Sequence, residues 1–216
     1  MTLYHSRNYN PRLAVAVGRY LDAPIAYEFA EPLVPANRDR FLPLNPNLRL
    51  PILIEEDGSS LWEADAIACR LSQLVGSDFW RTGAALPEMI LWLSWANSTF
   101  VPPCDKVQFE RVTKQRYALG PIREDLVAEG LADFASAASL LDARLATRNW
   151  LMDDGLSYAD FRMACVLPSA DLAGLPTGDY RNISAWYDRL TAIPAWRDPF
   201  EGLDAPPLPP VPPQYA

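Results

Sequence analysis

The stretch NPNLRLPILIEE, residues 45–56, reads as a β-strand with a proline at its mouth. Proline supplies no N–H to a sheet, so Pro51 suits a strand's first residue, an edge or a bulge. A cis peptide after Leu50 is the further option, and it turns the Leu50 backbone outward as an open ladder rung. Just downstream, the turn Asp57-Gly58 followed by Ser60-Leu61-Trp62 closes a hairpin on Ile52–Ile54.

Upstream, TLYH (2–5) reads as a strand, PRLAVAVGRYLD (11–22) as a helix with Pro11 in its first turn, and IAYEF (25–29) as a second strand. Residues 35–44 are polar and bounded by prolines, which gives a loop with room for one helical turn. EADAIACRLSQLV (63–75) has apolar residues at 67, 71, 74 and 75, the period of a helix laid on a sheet. The order is βαβ followed by ββα, and four strands with helices on them bury these faces most economically.

After GSDFWRTGAALP (76–87) the pattern turns wholly helical. EMILWLSWANSTF, IREDLVAEGLADFASAASLLDARLA, SYADFRMACVL and YRNISAWYDRLTAI read as four helices, with space for another around 104–119, so the second half is an α-bundle. Ser157 and Asp160 have capping-box spacing, and Leu156 with Phe161 that of a hydrophobic staple, which fixes a helix start at 157. The expected boundaries are residues 1–78 for an α/β domain, 86–203 for an all-α domain and 204–216 for a tail. That tail, DAPPLPPVPPQYA, favours extended polyproline II lying along its own subunit or a partner's.

Half of the 216 residues are hydrophobic, enough for one large core or two small ones. Acidic residues outnumber basic ones, 27 to 19, and no Lys/Arg cluster occurs, which argues against nucleic-acid and anionic-membrane partners. No apolar run reaches a membrane span, and MTLYHSRNYN lacks a signal pattern, so a cytoplasmic protein is expected. Cys69, Cys104 and Cys165 are widely spaced and read as small apolar helix residues. With His5 as the single histidine, no histidine-rich metal site is expected, and His5 itself reads as structural.

Three segments in order resemble cytosolic glutathione transferases, a bacterial type among them. NPNLRLPIL is similar to that family's Asn-Pro-x-Gly-Lys-Val-Pro segment, LWEADAIACRL to its Glu-Ser-x-Ala-Ile helix start, and WLMDDGLSYADF to the motif opening its sixth helix. The resemblance covers nearly the whole chain. It implies a thioredoxin-like α/β domain, an all-α helical bundle domain, a homodimer, and glutathione as co-substrate. It also implies a cis Leu50-Pro51 bond, with the Leu50 backbone pairing strand-fashion with the cysteinyl part of glutathione.

Glutathione carries two carboxylates, an ammonium and a thiol. On the resemblance, the helix start at 63–65 offers amides and a positive dipole end to the γ-glutamyl carboxylate, Glu63 accepts from the ammonium, and Arg49 meets the glycine carboxylate. The thiol faces the loop SRNYN (6–10), where donors at a helix start lower a thiol pKa. Two alignments stay open. One puts Asn8 and Asn10 in the positions that some bacterial members fill with Thr and Asn, and the other puts Ser6 where other members carry Tyr. Ser and Asn are also ordinary cap residues. The absence of cysteine from this loop argues against the branches that form a mixed disulfide with glutathione.

The expected activity is a glutathione-dependent transfer or thiol reduction on a small electrophile, peroxide or disulfide. Trp92, Trp95 and Phe100, with Arg111, Lys114 and Arg116 after them, are candidates for the co-substrate side, although aromatics at helical spacing serve cores more often. The alternative is a non-catalytic, transferase-like binding module with a protein partner or an apolar ligand. Its motive is Ala64, which stands where the family has a serine hydroxyl.

Overall fold

The computed structural model describes residues 1–212 and divides into two units. The first holds Met1–Arg81 together with Thr191–Pro207, and the second holds Thr82–Leu190 with the described residues from Leu208 on.

In the first unit the elements are β1 (Thr2–His5), α1 (Tyr9–Tyr20), β2 (Ala26–Phe29), α2 (Arg38–Phe41), β3 (Ile52–Ile54), β4 (Ser60–Trp62) and α3 (Ala64–Val75). The sheet order is β2-β1-β3-β4, with β1 parallel to β2 and antiparallel to β3. This is the thioredoxin-like arrangement. α1 begins two residues before the expected position and stops at Tyr20, where Asp22 turns left-handed at φ 47° and breaks the repeat. Pro11 still falls in the first turn, where a missing N–H costs nothing. Leu3, Ile52 and Leu53 on the sheet, Leu13 and Val17 on α1, and Ile67 and Leu71 on α3 are fully buried. At the hairpin, Asp57 accepts from Ser59 N–H at 2.9 Å and Gly58 takes φ 84°, which a side chain would strain.

In the second unit lie α4 (Leu86–Trp95), α5 (Val101–Gln108), α6 (Lys114–Arg116), α7 (Glu124–Leu145), α8 (Tyr158–Ala164), α9 (Ala170–Ala173) and α10 (Arg181–Thr191, whose last residue belongs to the first unit). α4, α5 and α6 form one helical path, joined by widened π-turns at Ala96–Phe100 and Phe109–Thr113. Pro102 and Pro103 explain the first widening, because in a regular helix their rings meet the carbonyls four residues back and give no N–H. The capping box at Ser157 forms, with Asp160 accepting from Ser157 N–H at 3.0 Å. Asp160 also accepts from Leu151 N–H and from Trp186 Nε1, each at 2.9 Å. The short α11 (Pro194–Arg197) belongs to the first unit. Among the described residues no helix is long and apolar enough to cross a membrane, and no group of three or more His, Cys, Asp or Glu could hold a metal. Residues 213–216 of the proline-rich tail lie outside the described residues.

Candidate functional site

The sheet register gathers the sequence-predicted residues. Tyr4 lies opposite Ile52, and Ile52 opposite Trp62. One step past that row come His5, Pro51 and Glu63, and the next step brings Ser6, Leu50 and Ala64. With strands about 4.8 Å apart, the chain segments leaving β1, entering β3 and leaving β4 emerge within about 10 Å of one another. Ser6, Leu50, Pro51, Glu63 and Ala64 therefore share one end of the sheet, with Asn8 and Asn10 following on the loop into α1.

The segment entering β3 is braced by Asn45, only 2 % exposed, whose side-chain amide donates to the Arg49 carbonyl at 2.9 Å. Its side-chain oxygen accepts from Asn47 N–H at 3.0 Å. Leu48 turns left-handed at φ 53° and buries its side chain, and the Leu50 side chain lies on the cluster of Ala30, Phe41, Leu48 and Ile52. The Leu50–Pro51 peptide is cis. The ladder starts at Ile52, so neither Leu50 N–H nor its C=O is a rung of the sheet. Arg49 is exposed, and its guanidinium makes no hydrogen bond or ion pair among the described residues.

Glu63 turns the chain from β4 into α3 at φ 75°, ψ 129°, a backbone conformation that costs a non-glycine residue about 1–3 kcal/mol. Its side chain is exposed and does not cap the helix. The first-turn amides of this twelve-residue helix therefore lack a side-chain acceptor at the N-cap, and the positive end of the dipole faces the same end of the sheet. Ala64 is 3 % exposed, so its methyl is turned inward.

On the remaining segment, Ser6 is half-buried and Asn8 exposed, and neither side chain is hydrogen-bonded among the described residues. Asn8 is the N-cap of α1 by its backbone alone, its carbonyl accepting from Arg12 N–H at 2.8 Å. Asn10 sits in the first helical turn. His5 is fully buried beside Tyr27, Phe29 and Phe200, and neither ring nitrogen has a hydrogen-bond partner among the described residues. Burial, and next the Arg7 charge, hold its pKa below 6.5, while Asp204 pulls the other way.

Residues 124–189 match the model of the glutathione S-transferase C-terminal domain. Over 200 residues the chain is 26 % identical to glutathione S-transferase stcT of Emericella nidulans, covering 89 % of this chain and 88 % of that protein. The solved structure of glutathione S-transferase III in apo form superposes with a TM-score of 0.81 at 22 % identity, over 97 % of this chain and 99 % of that one. The chain thus resembles glutathione S-transferases in sequence and shares their fold. It is also 28 % identical over 151 residues to elongation factor 1-gamma of Sus scrofa, covering 69 % of this chain but 32 % of that longer protein.

Two of the cations considered for the co-substrate side are tied up in the helical unit. Arg111 donates to the Ala173 carbonyl at 3.0 Å, and Lys114 pairs with Glu110 at 2.7 Å. Trp95 lies between Trp92, edge to face at 6.0 Å, and Phe100, stacked at 6.1 Å. Sequence reasoning missed the bracing role of Asn45, although it stands at the head of the quoted stretch. It also missed the left-handed turn at Glu63 and the contacts of Arg7, for which no local signal exists.

Proposed function

We propose that this chain binds glutathione at the open end of its sheet and acts as a glutathione-dependent transferase or thiol reductase on a small electrophile, peroxide or disulfide. The observation that carries this reading is the convergence of unpaired backbone groups at Leu50 with the first-turn amides of α3, which lack a side-chain cap. In it, the α3 amides take the γ-glutamyl carboxylate and Glu63 its ammonium, while Leu50 pairs with the cysteinyl backbone and Arg49 meets the glycine carboxylate. Pro51 supplies the wall beside the cysteinyl group. Ser6, Asn8 and Asn10 are the candidate donors to the sulfur.

Donation to the sulfur favours thiolate over thiol. The thiol proton leaves to solvent, and the thiolate sulfur then bonds to the electrophilic carbon, with either the leaving group departing as an anion or the addition product taking a proton from solvent. With a peroxide or disulfide, a second glutathione closes the cycle as oxidised glutathione. A cytoplasmic homodimer is part of the same reading.

A second reading, a transferase-like binding module that works without catalysis, is favoured by Ala64 and by the likeness to a protein named as an elongation factor. Calorimetric titration with glutathione, and beside it with oxidised glutathione, separates the two. Saturable one-site heat supports the first reading, and no heat with either compound favours the second.

A further inference from the structure

We propose that Arg7 is a positioning residue, which fixes the loop carrying Ser6 and Asn8 by anchoring it to the C-terminal segment 196–207; this role rests on the glutathione reading above. The segment returns to the first unit from the far end of the chain. Arg7 Nε donates to the Ala205 carbonyl at 2.8 Å and to that of Pro206 at 3.1 Å, and its guanidinium lies 4.6 Å over the Phe200 ring. Phe200 in turn rests on His5, the last residue of β1, at 5.6 Å between rings. Two further arginines of the same stretch fasten the segment. Arg12 stacks on Trp196 at 5.0 Å and donates to its carbonyl, and Arg19 donates to the Glu201 carbonyl at 3.1 Å.

Arg12 and Arg19 lie within α1, which its own backbone bonds already hold. Arg7 lies in the loop, between two residues whose side chains have no hydrogen bond among the described residues. It is thus the side chain through which residues 6–8 are hydrogen-bonded to the rest of the unit. A donor lowers a thiol pKa only when held within hydrogen-bond reach of the sulfur, and a misplacement of about 1 Å forfeits much of the effect. Phe200, Ala205 and Pro206 therefore belong to the scaffold of a loop almost 200 positions away in sequence, and Arg7 is the link.

The test compares Arg7→Met, which keeps the apolar stem over Phe200, with Arg7→Lys, which keeps the charge and a donor. Backbone amide exchange at 6–10 needs no ligand. In Arg7→Met it is expected to rise on the order of tenfold while β1 and the interior of α1 stay protected. With glutathione bound, the thiolate absorbance is expected to titrate at higher pH in Arg7→Met, with affinity held within about twofold because the carboxylates bind elsewhere. Arg7→Lys is expected to fall between Arg7→Met and the unmodified protein in both readouts. Unchanged exchange in Arg7→Met overturns the inference. Raised exchange with an unshifted thiol titration also overturns it, yet leaves the glutathione reading standing, whereas absence of binding heat in the unmodified protein overturns that reading instead.

Discussion

Asn45 holds Arg49 in place from a buried position, donating to its backbone carbonyl at 2.9 Å and so fixing the turn that delivers Leu50 and Pro51 to the sheet end. Asn45→Ala removes this bond and the acceptor for Asn47 N–H. The expected cost is about 1–3 kcal/mol, read by urea unfolding, with a severalfold loss of glutathione affinity. Unchanged affinity in a destabilised variant would separate the turn from the ligand.

Ala64→Ser restores the hydroxyl that the family uses. A hydrogen bond to a charged group is worth about 1.5–3 kcal/mol, so glutathione is expected to bind at least severalfold more tightly. Because position 64 is buried, the free variant carries a hydroxyl without its ligand, and its melting temperature is expected to rise more on adding glutathione than that of the unmodified protein. An unchanged affinity by calorimetry contradicts this account of the γ-glutamyl end.

His5 gives a pH dependence of defined sign. Its folded pKa is lowered, first by burial and then by Arg7, so the folded state keeps it neutral while the unfolded chain protonates it near 6.5. Its contribution to stability is complete above that value and is lost as pH falls through it toward the folded pKa. His5→Phe is therefore expected to gain on the unmodified protein as urea unfolding is repeated from about pH 7.5 down to about 5.5. A constant difference between the two across that window counts against the neutral, buried assignment.

Asp160 has the opposite sign. Burial raises its carboxyl from 3.8 to about 6 in spite of its bonds from Leu151, Trp186 and Ser157. Its stabilising share is complete below the unfolded value and falls as pH rises through about 6. Asp160→Ala strands the donors and is expected to cost about 1–3 kcal/mol for each one left unsatisfied. Asp160→Asn is expected to cost less, with its deficit narrowing as pH rises from about 4 to about 6 and level above that; a deficit that widens over this window instead contradicts the assignment.

Much of the first unit, and one helix start of the second, was legible because the signals are local. Pro51 marks the mouth of β3, Asp57-Gly58 the hairpin, the apolar spacing at 67 and 71 the buried face of α3, and Ser157 with Asp160 the start of α8. What escaped sequence reasoning is long-range or conformational. The arginines at 7, 12 and 19 carry no periodicity that announces partners at 205, 196 and 201, and those partners are backbone carbonyls, which every residue type shares. The left-handed Glu63 and Leu48 were equally hidden, since neither residue type favours that conformation and the surrounding fold imposes it. A helix ending at Phe100 and a separate one around 104–119 were expected, whereas a widened turn carries the helix through Pro102 and Pro103.

The central claim is that glutathione occupies the sheet end where Ser6, Leu50 and Ala64 converge. A titration of glutathione into isotope-labelled protein, followed by backbone amide chemical shifts, tests it most directly. The account predicts saturable shifts concentrated at 6–10, 49–50 and 64–66, with the amides of α3's first turn moving furthest, and these shifts weakened in Arg49→Met. Saturable shifts centred elsewhere, or no shifts at millimolar glutathione, contradict it.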